Sequence, residues 1–114
     1  MTTSRMRRVN EVIREVLGSA ISTELQDPRI GFVTVTSVDT SPDLRHAEVG
    51  VSVLGDERER QASLEALRSA RGVLQARINS ELTMKRTPEL RFTYDESVER
   101  ADRITRMLEQ GEQE

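Results

Sequence analysis

The sequence predicts an α+β fold with the order helix, strand, strand, kinked helix pair, strand and helix. Apolar residues recur every three or four positions near the start of the chain, and they alternate with polar residues over residues 44–54. A glycine, Gly72, then interrupts a second helical stretch. Because no linker or repeat divides the 114 residues, we expect one domain over residues 1–110 and a disordered acidic tail over 111–114.

The first helix is predicted from an apolar stripe with helical spacing. The stripe consists of Met6, Val9, Ile13, Val16, Leu17, Ala20 and Ile21. Pro28 cannot occupy a helix interior, and Gly31 favours a turn. The helix is therefore expected to end near Leu25.

Two strands are predicted next, as a hairpin. Residues 32–38 are rich in β-branched side chains, and residues 39–43 form a turn cluster around Pro42. In the second strand Ala47, Val49, Val51 and Val53 share one face, and His46, Glu48 and Ser52 share the other. We expect the apolar face to pack against the first helix.

The second helix has a predicted start and a predicted break. Asp56, with Glu59 three residues later, has the spacing of a capping box. Glycine costs about 1 kcal/mol relative to alanine inside a helix, so the sequence Ala70-Arg71-Gly72 predicts a kink.

The last third of the chain is predicted as a short strand and a helix. Pro88 precedes an alternating strand over residues 90–94, and Ser97 is suited to cap the final helix. The apolar positions of that helix are again three or four residues apart. They are Val98, Ala101, Ile104 and Leu108.

The composition limits the core and several kinds of site. Aromatic residues make up 3% of the chain and hydrophobic residues 35%, so the core must be largely aliphatic. The absence of cysteine excludes disulfides and thiolate chemistry. With no signal-type segment and no apolar run of about 18 residues, we expect a cytoplasmic protein without membrane contact.

Charge is distributed unevenly, although the net charge is -3. Residues 68–91 contain six basic and two acidic side chains, whereas residues 95–114 contain three basic and seven acidic ones. Overall negative charge argues against a nucleic-acid partner, but a local basic excess can still bind phosphate. An equally simple explanation of this uneven distribution is that the charges lie on solvated helix faces that happen to cluster.

The sequence gives little support for a catalytic or a metal-binding site. His46 is the only histidine, and no glycine pattern typical of a nucleophile elbow surrounds the nearby serines. The acidic pairs Asp39 with Asp43 and Asp56 with Glu57 fit turn and cap roles better than metal binding. No glycine-rich phosphate cradle is present. We therefore expect no enzyme activity, no metal and no cofactor.

The aromatic residues are expected in the core. Phe32, Phe92 and Tyr94 could stack on RNA bases, as aromatic side chains do in single-strand binders. Because Phe92 and Tyr94 share one strand face, core packing is the favoured interpretation for this group.

Several segments, in order and over nearly the whole chain, resemble the ribosome-binding factor A family. They are Arg8-Val9-Asn10-Glu11, Asp27-Pro28-Arg29-Ile30-Gly31-Phe32-Val33-Thr34-Val35-Thr36, Ser41-Pro42-Asp43-Leu44, Ser69-Ala70-Arg71-Gly72, and Thr87-Pro88-Glu89-Leu90-Arg91-Phe92 with Asp95 and Ser97. The element order likewise resembles the type II KH topology of RNA-binding domains. KH domains that hold single-stranded RNA use a Gly-x-x-Gly loop. Here the kink carries Ala70 and Gly72 in an Ala-x-Gly form similar to that family's own, so the usual RNA clamp is not carried over.

The resemblance implies a factor that binds the immature small (30S) ribosomal subunit and assists maturation of its 16S ribosomal RNA. It also leaves open an assembly GTPase as a partner, and we expect a monomer. Arginine side chains suit phosphate contacts, and the expected contact residues are Arg7, Arg8, Arg14, Arg68, Arg71, Arg77, Lys85, Arg86 and Arg91. The alternative, favoured by the net negative charge, is a protein interaction module that never contacts RNA.

Overall fold

The computed structural model describes residues 4–82 and 86–112 and confirms the predicted element order. The elements are α1 (Ser4–Thr23), β1 (Val33–Thr40), β2 (His46–Val53), α2 (Glu57–Ser69), α3 (Arg71–Glu81), β3 (Glu89–Tyr94) and α4 (Ser97–Glu112). The last helix continues two residues beyond the expected domain boundary at 110, and residues 113–114 lie outside the described part. None of the described helices is long and apolar enough to cross a lipid bilayer.

The three strands form one sheet in the order β1-β2-β3. β1 and β2 are antiparallel, as expected for a hairpin, and β3 runs parallel to β2. Alternation along β2 buries its four apolar side chains and leaves His46 half-buried on the opposite face. We call this opposite face, which α1, α2 and α3 do not cover, the open face.

The core lies between the sheet and the first three helices and is aliphatic, as predicted. Ile13 and Leu17 from α1 meet Leu67 from α2 and Leu74 from α3, and all four are fully buried. Phe92 is the one aromatic side chain among the buried core residues. Burying such side chains contributes about 1.5–3 kcal/mol each, so this layer of contacts fixes the helix pair on the sheet.

The helix break occurs at Ala70, where the backbone leaves helical geometry with φ -88° and ψ 5°. Asp56 caps α2 by accepting the Glu59 backbone N–H at 2.8 Å, which confirms the predicted start. α3 begins at the next residue, Arg71, without a side-chain cap. Gly72 therefore lies in the first turn of α3, directly after the break.

Side chains from the helices form hydrogen bonds with main-chain groups at both outer edges of the sheet. On β3, the Leu90 N–H donates to Gln75 at 3.4 Å, and Arg68 donates to the Phe92 carbonyl at 3.1 Å. On β1, the Thr40 N–H donates to the Asn10 side-chain oxygen at 3.0 Å. These contacts place Arg68 along β3 and Asn10 against β1.

Asp95 connects the end of β3 to the open face of the sheet and to α4. Its carboxylate accepts the Thr36 hydroxyl at 2.6 Å and the Ser97 backbone N–H at 2.9 Å. These hydrogen bonds, the one from Thr36 first, lower the pKa of the Asp95 carboxyl to about 2. The prediction that Ser97 caps α4 is wrong, because Ser97 is the first helical residue and Asp95 binds its amide.

Two predicted apolar features are exposed. Phe32 is 81% exposed, so its expected place in the core is wrong, whereas Phe92 is buried and Tyr94 is partly buried against the core. The apolar stripe of α4 is present, yet every side chain of α4 that the structure describes is exposed. The helix extends from the sheet, and the molecule measures 59 × 37 × 18 Å.

Candidate nucleic-acid interface

The first basic group lies on the solvent side of α1, as its position outside the apolar stripe predicts. Arg7, Arg8 and Arg14 are all exposed. Arg14 forms an ion pair with Glu11, which raises the pKa of the Arg14 guanidinium. Within the described residues, no carboxylate forms an ion pair with Arg7 or Arg8, so their donors remain available for an anionic ligand.

The second basic group follows β3. Arg71 and Arg91 approach the same carboxylate, Glu89, each at 4.0 Å, and Arg91 also lies 3.9 Å from Glu48. Arg68, at the end of α2, contacts the β3 main chain instead. The structure thus brings three of the expected residues, from α2, α3 and β3, together beside β3, but with acidic side chains near Arg71 and Arg91.

Arg77, the next expected residue of this group, pairs with carboxylates that do not belong to β3. Arg77 on α3 bridges Glu24 at 3.2 Å and Glu81 at 3.6 Å, which ties α3 to the residue that follows α1. Arg86 is exposed, and no carboxylate among the described residues pairs with it. Lys85 lies outside the described residues.

The basic groups therefore do not form one uninterrupted cationic surface. Four of these eight described arginines, Arg14, Arg71, Arg77 and Arg91, each lie within 4.0 Å of a carboxylate. Exposed ion pairs are worth only about 0–1 kcal/mol, so a phosphate can replace the carboxylate at low cost. Arg7, Arg8 and Arg86 need no such exchange, which makes them the strongest candidates for phosphate contact.

The kink presents exposed backbone beside this group. Apart from its chain neighbours and the backbone of its own helix, a Cβ atom added at Gly72 would meet no described atom within 4 Å. The fold therefore imposes no steric requirement for glycine at this position, while the missing side chain lets a ligand approach the helix backbone.

One anchoring residue, Ser63, was not anticipated from the sequence. Its hydroxyl is fully buried, donates to the Arg29 carbonyl at 3.2 Å and accepts the Gly31 N–H at 3.3 Å. These contacts fix the loop between α1 and β1 on α2. A small polar residue beside the buried positions of α2 is the signal that could have identified it.

Arg29 in the same loop also holds Asp27 through several short hydrogen bonds, the closest at 2.7 Å. Donation by the Arg29 side chain lowers the pKa of the Asp27 carboxyl.

Candidate chemistry outside these groups is sparse. His46 lies half-buried on the open face, as predicted, at the start of β2. Within residues 4–82 and 86–112, no group of three or more histidine or acidic side chains is arranged to hold a metal ion. The arrangement that remains is a set of arginine donors suited to binding.

Comparison with known proteins finds similarity to a known protein family. The family model described as ribosome-binding factor A matches residues 5–108. Ribosome-binding factor A of Thermomicrobium roseum is 45% identical over 114 residues, which cover 100% of this chain and 88% of that protein. The protein of the same name from Anaeromyxobacter sp. strain K is 49% identical over 97% of this chain and 82% of its own.

Solved structures show the same KH-like fold. The solution structure of a putative ribosome-binding factor A from Thermotoga maritima has a TM-score of 0.75 and 35% identity, covering 82% of this chain and 90% of that one. A homology model of the Thermus thermophilus factor, fitted into a cryo-EM map of a 30S complex, has a TM-score of 0.63 and 29% identity. It covers 75% of this chain and 89% of that one.

Proposed function

Because the chain belongs to the ribosome-binding factor A family, we propose that it binds the immature 30S subunit and assists maturation and processing of 16S ribosomal RNA. The observation that carries this proposal is the relative fitted into a 30S complex, whose fold this chain shares. The protein acts in the cytoplasm as a monomer, by binding and without catalysis. An assembly GTPase is a candidate for its release.

The proposed mechanism is a shift in RNA conformation. A protein that binds one conformer of the RNA more tightly than another favours that conformer by the difference in binding free energy. A difference of about 2–3 kcal/mol gives a bias of about 30-fold to 150-fold. In this proposal Arg7, Arg8 and Arg86 contact phosphates directly, and the paired arginines exchange their carboxylates for phosphates.

Co-sedimentation with purified immature and mature small subunits tests the proposal. We expect the protein to migrate with immature subunits at low salt and to lose affinity as salt rises. The slope of log affinity against log salt is expected to be about 0.7–0.9 per neutralised phosphate. Failure to migrate with either subunit at low and at physiological salt would refute ribosome binding.

A protein interaction module is the second candidate, and the exposed Phe32 and Leu54 side chains favour it. An apolar protein interface responds little to salt, because few counterions are released when it forms. Subunit binding with no measurable salt slope would therefore support this candidate over phosphate recognition.

The kink offers a variant that separates binding from folding. Gly72→Ala is expected to keep the thermal stability or raise it by up to about 1 kcal/mol, since alanine is the better helix former. If RNA approaches the exposed backbone, the added methyl group lowers affinity for the subunit about tenfold, equivalent to about 1.4 kcal/mol. Paired melting and binding measurements check this, and wild-type affinity in a stable variant would show that the backbone is not approached.

A further inference from the structure

Two apolar surfaces of this chain remain uncovered. On the open face, Phe32 is 81% and Leu54 is 74% exposed. On α4, Ile104 and Leu108 are 57% and 65% exposed, with Met107 beside them. Uncovered apolar clusters commonly mark contact surfaces, and here one is a groove and the other is the stripe of a helix.

The groove has the form of a seat for a helix. Phe32 and Leu54 are adjacent across the two strands, where the Leu54 N–H donates to the Phe32 carbonyl at 3.1 Å. With Val53 and Tyr94, which belong to the core side of the sheet, and with Thr34 and Ser52 they line a groove of about 430 Å³ at this end of the sheet. Tyr94 is three residues before α4 begins, so the groove and the helix are neighbours in the chain.

The lengths of the two surfaces match. Asp95 is held on the open face at Thr36, and Phe32 lies four residues earlier in the chain, about 13 Å away at the rise of a strand. Ile104 lies eight residues beyond Glu96, which is about 12 Å along a helix. A bend of the backbone at residues 95 and 96 would therefore lay Ile104 over Phe32.

Charge at the border of the groove also fits the helix. The groove includes Gly55, after which Asp56, Glu57 and Glu59 begin α2. On α4, the helical spacing places Arg103 and Arg100 along one border of the apolar stripe, and in the structure Arg100 pairs with Glu96 at 3.4 Å. Opposite charges would thus flank the apolar contact.

From these matches we propose that α4 is a strap that closes over the open face and covers Phe32 and Leu54. The structure, in which α4 extends from the sheet, is the open state of the strap. In this state both apolar surfaces are free for a partner. Because the connection is two residues long, the effective concentration of the helix at the groove is in the millimolar range or higher. Closure within one molecule is therefore favoured over contact between two copies.

A single tryptophan can report closure, because the chain contains none. In the full-length Phe32→Trp variant, closure is expected to shield the indole from acrylamide and to shift its emission to shorter wavelength. Adding Ile104→Asp should open the strap and raise the quenching constant about twofold or more, if the closed state holds half of the molecules. Gln110→Asp adds the same charge on the opposite face of α4 and should leave the quenching constant unchanged.

Three outcomes would overturn the strap. Equal quenching with and without Ile104→Asp would show that α4 does not cover the groove, and so would an equal effect of Gln110→Asp. Shielding that grows with protein concentration would show that a second copy covers it. If circular dichroism shows that Phe32→Trp misfolds, the exposed Leu54 is replaced by tryptophan and the same comparison is made.

Discussion

Replacing both Arg7 and Arg8 by glutamate is expected to weaken binding to the immature small subunit about 100-fold. Each lost charge-assisted contact costs about 1.5–3 kcal/mol, so two of them exceed the free energy of a 100-fold change. The salt slope should fall by about two at the same time, since two phosphates are no longer neutralised. A subunit titration at several salt concentrations measures both quantities.

Stability should change little in this variant, because the two side chains are exposed and form no ion pair with a described carboxylate. Arg77 is a poorer choice for reversal, since a glutamate there would lie beside Glu24 and Glu81. Arg45→Glu with Arg58→Glu is the matched control: both side chains are exposed, and the net charge changes equally. Equal losses in the two double variants would mean that only net charge matters, and the proposed contact surface would be wrong.

Ser63→Ala is expected to lower the free energy of unfolding by about 2 kcal/mol, because two hydrogen bonds of about 1 kcal/mol each are lost. For a domain of this size the melting temperature should fall by about 5–10 °C. The Gly31 amide should also exchange its hydrogen faster, since it loses its acceptor. Thermal melting and amide exchange measure the two effects.

Ser69→Ala is the control for this change. Ser69 lies on the same helix, is exposed, and donates only to the Glu65 carbonyl at 3.0 Å. Its replacement should be neutral or slightly stabilising, because alanine favours the helix. If both variants melt alike, the hydroxyl of Ser63 does not anchor the loop.

The features that the sequence predicted correctly depend on neighbouring residues. The cap at Asp56 is set by the amide three residues later, and the burial of β2 follows from strict alternation. The kink at Ala70 is indicated by small residues within one turn. Each of these signals can be interpreted without knowing what lies across the fold.

The features that were missed depend on distant residues. A strand pattern does not show whether one or both faces of a sheet are covered, so the exposure of Phe32 could not be inferred. The apolar stripe of α4 likewise shows that one face of this helix is apolar, but it does not show what that face contacts. Besides a neighbour in the chain, Arg77 and Arg91 each pair with a distant carboxylate, Glu24 and Glu48 respectively. Only the folded structure shows these distant ion pairs.

The side chains that occupy the two outer edges of the sheet have a consequence for solubility at high concentration. An unprotected edge strand can recruit a strand from another molecule and start a fibril. Here Gln75 and Arg68 bind the main chain of β3, and Asn10 binds that of β1. Lateral growth of the sheet from one molecule to the next is thereby obstructed on both sides.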